Sequence, residues 1–275
     1  MSVPAAFDYH VAKSVDEAIA LMQQYGDDAK FLAGGHSLLP TMKLRLAQPA
    51  HLIDLGRIQG LSYVREEDGA VAIGVMTTYV TIGNSDVVRQ NFPVLPEAIS
   101  SIGDQQVRNR GTIGGSVAHS DPAADLPGVV LALKADILVQ GANGIRTIKA
   151  DDFFQDLFQT ALEPGEVITE IRFARPSART GSAYEKLANK ASDYAVVGCA
   201  AVVTLDTDGT CTSASVVITG ASVKPTRASA VEAAATSNAA DGMEMVGDIH
   251  GSKEYRAQMA GVMAKRAIAR AAERA

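Results

Sequence analysis

The stretch "RNRGTIGGSVAHSDPAADLP", residues 108 to 127, decides how this chain is read. It carries a glycine pair, Gly114–Gly115, after an apolar residue and before a serine. A near copy, "KFLAGGHSLLP", residues 30 to 40, occurs about eighty residues earlier. Glycine lets a backbone come within hydrogen-bonding distance of a ligand and permits positive φ. Successive amides in such a bend form a concave anion site. One bend grips one phosphate; two brought together could grip a diphosphate without a lysine. Neither G-x-x-x-x-G-K-[ST] nor G-x-G-x-x-G is present, so these are not the P-loop or the dinucleotide fingerprint. On residues alone, two unrelated turns remain an equal reading.

Around these bends the pattern is that of an α+β chain. Ser14-Val-Asp-Glu17 is a capping box; Val15, Ala18, Ile19 and Met22 follow at helical spacing and Gly26 closes the helix. An apolar strand, Phe31 to Ala33, enters the first bend. "LLPTMKLRL" follows as a short helix with Pro40 in its first turn, then "HLIDL" as a second strand, giving a parallel pair with a crossover. Strands are expected at 61–65, 70–74, 137–140, 145–148 and 167–173, with "GANG" as a turn. Helices are expected at 80–91 and 94–102, and from Ser120-Asp-Pro to Leu133. "ARPSARTGS" reads as a linker, which divides the chain into residues 1–176 and 177–275. Beyond it, 195–205 and 212–218 form a hairpin. A last helix, from Ser252 to Ala275, shows Tyr255, Met259, Val262 and Met263 on one stripe, with basic residues at its end.

Bulk properties narrow the function. The chain has 275 residues, 47% hydrophobic and 20% charged, enough for a real core. A net charge of −6 argues against nucleic acid or an anionic membrane as a partner of the whole surface. The two cysteines, Cys199 and Cys211, form no C-x-x-C, so neither an iron–sulfur cluster nor a cysteine zinc site is expected in the chain. The N-terminal residues carry no signal-peptide pattern, and the longest apolar run, 195–205, is too short to span a bilayer. A cytoplasmic protein is expected, or one held at a membrane through a complex. No H-E-x-x-H, G-x-S-x-G or paired histidines occur, and no general acid or base is assigned.

Four stretches in order, "AGGHSLLP" (33–40), "TIGGS" with "DPAAD" (112–125), "YEKLANKASDYAVV" (184–197) and "EYRAQMAGVMAKRA" (254–267), carry a resemblance that covers essentially the whole chain. The chain resembles the medium, flavin-binding subunit of the molybdenum hydroxylases, the xanthine dehydrogenase and carbon monoxide dehydrogenase families, and above all the carbon monoxide dehydrogenase type. That implies a two-part flavin-binding domain of the vanillyl-alcohol-oxidase/PCMH type, then a C-terminal antiparallel sheet with helices. It implies non-covalent FAD, with its diphosphate against Ala33, Gly34, Gly35, His36 and Ser37 of one bend and Thr112, Ile113, Gly114, Gly115 and Ser116 of the other. It further implies Asp125 as a cofactor ligand, Ile168 as an apolar contact, Lys186 as a lysine beside the cofactor, and Tyr194 as an aromatic near the flavin ring. Many relatives carry Asn at the position of Ser116 and Gln at that of His36. Serine is shorter but keeps a donor and an acceptor. The family implies a large molybdopterin subunit and a small subunit with 2Fe-2S clusters, in a dimer of heterotrimers, and an acceptor such as a quinone or NAD. Two rivals share the same bends: a stand-alone flavin oxidoreductase, with His36 as a covalent attachment point, and a non-enzymatic nucleotide-binding module.

Overall fold

The structure, a computed structural model, describes residues 3–67, 69–233 and 243–275. Strand β1 (Asp8–Val11), helix α1 (Val15–Tyr25), β2 (Ala29–Leu32), α2 (Leu38–Lys43) and β3 (His51–Asp54) come first. They form a parallel sheet in the order β1-β3-β2, as the strand–bend–helix–strand pattern predicts for β2 and β3. The sequence pattern does not announce β1. Tyr9 and Val11 are exposed, so the strand has no buried alternation to reveal it, and it pairs only with β3. Ser14 caps α1 by accepting from the Glu17 amide, while the Glu17 carboxylate accepts from the Lys13 amide.

Strands β4 (Val64–Glu67) and β5 (Ala70–Gly74) lead into helices α3 (Tyr79–Asn84), α4 (Asp86–Asn91), α5 (Val94–Ser100), α6 (Gln105–Arg110), α7 (Ile113–His119) and α8 (Asp125–Ala132). Then follow β6 (Asp136–Gly141), β7 (Gly144–Lys149), α9 (Ala150–Phe153), the small hairpin β8 (Phe154–Asp156) and β9 (Gln159–Thr160), and β10 (Val167–Ala174). A five-stranded antiparallel sheet runs β4-β5-β10-β6-β7. The single helix expected at 80–91 is broken at Ser85, whose hydroxyl caps α4. The helix expected to start at Ser120 starts five residues later. Ser120 ends α7 with φ 52°, and α8 begins at Asp125.

Strands β11 (Thr180–Ala188), β12 (Ala195–Leu205), β13 (Cys211–Thr219) and β14 (Thr226–Arg227) form a second antiparallel sheet in sequence order, followed by α10 (Ser229–Ala233) and α11 (Lys253–Glu273). One face of this sheet packs on α5 and α8, the other on α11. Every residue of α8 is buried. The larger core is therefore continuous across the connection at 175–179, since Tyr184, Ala200 and Val217 belong to it. A second core lies between the sheet and α11.

The buried stripe of α11 differs from the expected one. Ala260, Met263, Ala264, Ala267 and Ala271 face the sheet, whereas Tyr255 and Val262 are exposed. The helix approaches so closely that a Cβ on Gly181 would overlap the Ala271 carbonyl oxygen. Alanine at four of these five inward positions permits that approach, and Met263 fills the fifth.

Candidate functional site

The two glycine pairs converge. Ala33, which follows β2, and Gly115 are neighbours: a Cβ on Gly115 would lie 3.4 Å from that of Ala33. A Cβ on Gly34 would overlap the Arg110 carbonyl oxygen and sit 2.9 Å from the Gly111 Cα. The absent side chains thus let the two segments touch each other. Gly114 is excluded from carrying a Cβ by Val75, and Gly35 has φ 79°.

The second segment is not an open bend. Thr112 caps α7, accepting from the Gly115 amide at 3.2 Å, and the glycine pair forms the first turn of that helix. Its amides are already used: Ile113 donates to Thr77, Gly114 to Val75 at 3.0 Å, and Ser116 to Thr112. The first segment is the reverse. Among the described residues nothing accepts from the amides of Gly34, Gly35, His36, Ser37 or Leu38. Backbone amides normally find partners, so five consecutive unpaired ones mark a place for an acceptor from outside the chain.

Both segments border one cavity of about 1050 Å³. That is at the upper end of the roughly 300–1,000 Å³ usual for ligand pockets. Of the fourteen expected residues, Ala33, Gly34, Gly35, His36, Ser37, Thr112, Gly114, Gly115, Ser116, Asp125, Ile168 and Tyr194 line it. Ile113 and Lys186 do not. Ile113 is fully buried in the core. Lys186 stands behind Asp125, with its ammonium donating to Asp125 Oδ2 at 3.0 Å and to the carbonyls of Ser101 and Asp193 at 2.7 Å each. The Tyr184 hydroxyl donates to Asp125 Oδ1 at 2.5 Å. Burial pushes the Asp125 carboxyl upward against the pull of Lys186 and Tyr184, and the Tyr184 phenol well upward. Asp125 is thus fixed at the cavity wall, with its charge answered from behind.

Tyr194 sits at the end of the 189–194 turn, which is held by Asn189 N–H to the Tyr194 carbonyl and Asp193 N–H to the Asn189 carbonyl, both 2.8 Å. Its hydroxyl faces Ser37, and burial raises its pKa. The sequence gives no sign of Tyr79 or of the rim of His119 and Phe158. Tyr79 is buried against Gly111 with its hydroxyl toward Ser116, and burial pushes it up to about 12. Phe158, at the β8–β9 tip with φ 54°, lies 5.1 Å from the His119 ring. The close approach of Tyr79 requires the glycine at 111, a signal visible only once the fold brings the two together.

The cavity, the unpaired amides and the buried carboxylate define a site for an elongated, phosphate-bearing cofactor. Residues 5–176 match the family described as "FAD binding domain in molybdopterin dehydrogenase", and residues 182–271 match "CO dehydrogenase flavoprotein C-terminal domain". The chain belongs to this family: it is an FAD-binding medium subunit of the molybdenum hydroxylase type, a flavoprotein subunit of an oxidoreductase. It is 44% identical to the carbon monoxide dehydrogenase medium chain of Hydrogenophaga pseudoflava, over 97% of each chain. It is 39% identical to the alpha subunit of the 6-hydroxypseudooxynicotine dehydrogenase complex of Paenarthrobacter nicotinovorans, covering 99% of this chain and 96% of that one. A solved structure of the Hydrogenophaga pseudoflava carbon monoxide dehydrogenase, in a form lacking the Mo-pyranopterin moiety, superposes with a TM-score of 0.95 at 45% identity, covering 99% of this chain and 100% of that one. Among the described residues no helix is long and apolar enough to cross a membrane.

Proposed function

We propose that this chain is the electron-transfer subunit of a molybdenum-containing dehydrogenase. In this reading a large subunit carries the molybdopterin cofactor and the substrate chemistry. A small subunit carries 2Fe-2S clusters, and the three chains assemble as a dimer of heterotrimers. FAD, when bound, supplies the exchange between one-electron and two-electron transfer that an acceptor such as a quinone or NAD requires. The chain's own residues bind, orient and shield. The amides of 34–38 hold the diphosphate without a lysine, Ser37 and Ser116 add hydroxyls, and Asp125 receives a sugar hydroxyl. Tyr79 and Tyr194 supply aromatic surface at the end of the cavity. No side chain is assigned a proton-transfer role. The complex lies in the cytoplasm or against a membrane through its partners.

The observation that carries this reading is the run of five unpaired amides on a cavity that also holds a buried carboxylate. The test is purification of the complex from its host through a tag on this chain. The expected preparation is yellow-brown, with one FAD per chain, released on denaturation, together with iron, acid-labile sulfide and molybdenum. Flavin that stays on the denatured chain would point to covalent attachment at His36 instead. A colourless preparation free of metals would end the electron-transfer reading.

A further inference from the structure

The wall of the cofactor cavity is acidic. Among the described residues it holds six carboxylates, those of Asp27, Asp121, Asp125, Asp193, Glu163 and Glu166, against one lysine, Lys30, and no arginine. Two of the six are paired, Asp125 with Lys186 and Glu166 with Arg146. Asp121 forms no ion pair among the described residues; its Oδ1 accepts from the Ala123 amide at 2.9 Å. An unpaired carboxylate usually turns out into water, but Asp121 is half-buried and its segment is fixed from several directions. The Ala195 amide donates to the Ala123 carbonyl at 3.2 Å, and the Gly220 amide to the Pro122 carbonyl at 2.7 Å. Thr219 Oγ1 donates to the carbonyls of Pro122 and Ala124. The first of these bonds ties the Asp121 segment to the residue that follows Tyr194.

Asp121, Ser192 and Tyr194 also line a second, smaller cavity of about 350 Å³, so Asp121 stands in the partition between the two. Its field reaches both neighbours on the cofactor side. Burial first, and then the charge of Asp121, raises the Tyr194 phenol, and the same charge adds to the burial that raises the Asp125 carboxyl. A flavin ring gains negative charge at N1 and the adjoining carbonyl oxygen when it is reduced, and charges placed there tune it. A fixed anion close by opposes that gain, and a site partly closed to water screens the opposition only weakly. We infer that Asp121 is a tuning residue of the bound flavin: its unpaired charge holds the midpoint potential down and keeps the reduced flavin a strong donor to the external acceptor. The inference rests on the electron-transfer reading above, with the flavin ring against Tyr194. Asp125 cannot play this part, because Lys186 offsets its charge. Asp193 is exposed, so solvent screens it.

The test uses the purified complex and reads the flavin itself. Asp121→Asn keeps the size of the side chain and an oxygen for the Ala123 amide, and removes only the charge. In a redox titration followed by the flavin absorbance, it should raise the ratio of reduced to oxidised flavin at a fixed potential about tenfold, a rise of about 30 mV for a two-electron couple. Asp121→Glu, which restores the charge, should titrate close to the wild type. Asp208→Asn, in the exposed turn between β12 and β13, should leave the potential unchanged. Sulfite gives an independent reading: its sulfur lone pair forms a bond to flavin N5 and leaves negative charge at N1 and the adjoining carbonyl oxygen. Asp121→Asn should therefore bind sulfite more tightly than the wild type by a similar factor, seen as bleaching of the flavin band. A wild-type potential and sulfite affinity in flavin-replete Asp121→Asn, or an equal shift in Asp121→Glu, overturns the inference. Loss of flavin from Asp121→Asn makes the residue a binding group and overturns it as well. A wild-type complex without flavin would instead end the electron-transfer reading.

Discussion

Asp125 and Lys186 illustrate how a site can be organised from behind. Both side chains are buried, at 6% and 4% exposure. Removing one partner strands the other's charge in a medium that cannot solvate it, a loss of about 3–5 kcal/mol. Lys186→Met and Asp125→Asn should each destabilise the chain by about that much in urea titrations. The double variant should recover much of the loss, because neither charge is then stranded. Strict additivity would show that the pair does not act as a unit. Flavin content should fall in Asp125→Asn, and fall in Lys186→Met only through displacement of Asp125.

Glu166, also at the cavity, is held below the ordinary carboxylate range, first by the paired bonds from Arg146 Nε and Nη2, both 2.7 Å, and then by the Glu163 amide. A depressed folded pKa stabilises the chain above the unfolded value of about 4.3, and the gain is lost as pH falls through the folded value. Glu166→Gln should therefore flatten the dependence of Tm on pH below about pH 5, with little change in its slope near neutrality. A wild-type slope in the variant would remove Glu166 from the acid response.

At the level of elements, the glycine segments separate two explanations that sequence alone leaves merged. Gly34 has no positive φ to protect, yet a Cβ there would overlap the Arg110 carbonyl. Gly34→Ala should push β2–α2 away from α6–α7, destabilise by about 1–3 kcal/mol and reduce flavin content. Gly60→Ala, at φ 83° in open space, should cost about 1–2 kcal/mol through backbone strain and leave flavin content unchanged. Full flavin content in Gly34→Ala would show that contact between the two segments is not required.

The same elements show what could be read in advance. α1, β2 with β3, the β6–β7 hairpin and the β12–β13 hairpin each announce themselves through a cap, a period or a turn signal that acts locally. The Gly114–Gly115 pair reads as a bend because glycine disfavours helices in isolation. It stands in the first turn of a helix capped by Thr112, where Val75 leaves no room for a side chain at Gly114. Ser120 resembles an N-cap in sequence, but it ends α7 and its hydroxyl has no partner among the described residues. The expected site residues gather at one cavity, yet nothing local distinguishes the used amides of α7 from the unpaired ones before α2. That difference depends on Val75 and Thr77, which only the fold brings beneath α7.

At the scale of the molecule, the chain is bound together by contacts that cross the connection at 175–179. Glu97 on α5 accepts from the guanidinium groups of Arg270 and Arg274 at the end of α11, and from the Tyr184 amide at 2.9 Å. Ser182 Oγ accepts from the Val94 amide. Thr219 Oγ1 donates to the carbonyls of Pro122 and Ala124, which fix the approach to Asp125. The second sheet therefore forms part of the wall behind the cofactor cavity. α8 is buried on all sides, and without β12 and β13 one of its faces would meet water. Residues 1–176, expressed alone, should bind a hydrophobic dye and show no cooperative thermal transition, while the full chain unfolds in a single step. Glu97→Ala in the full chain should speed amide exchange over 266–275 and lower Tm, because three donors lose their acceptor together. A fragment that unfolds cooperatively near the full-chain Tm would mean that the flavin-binding part completes its own core, with the second sheet as an appendage.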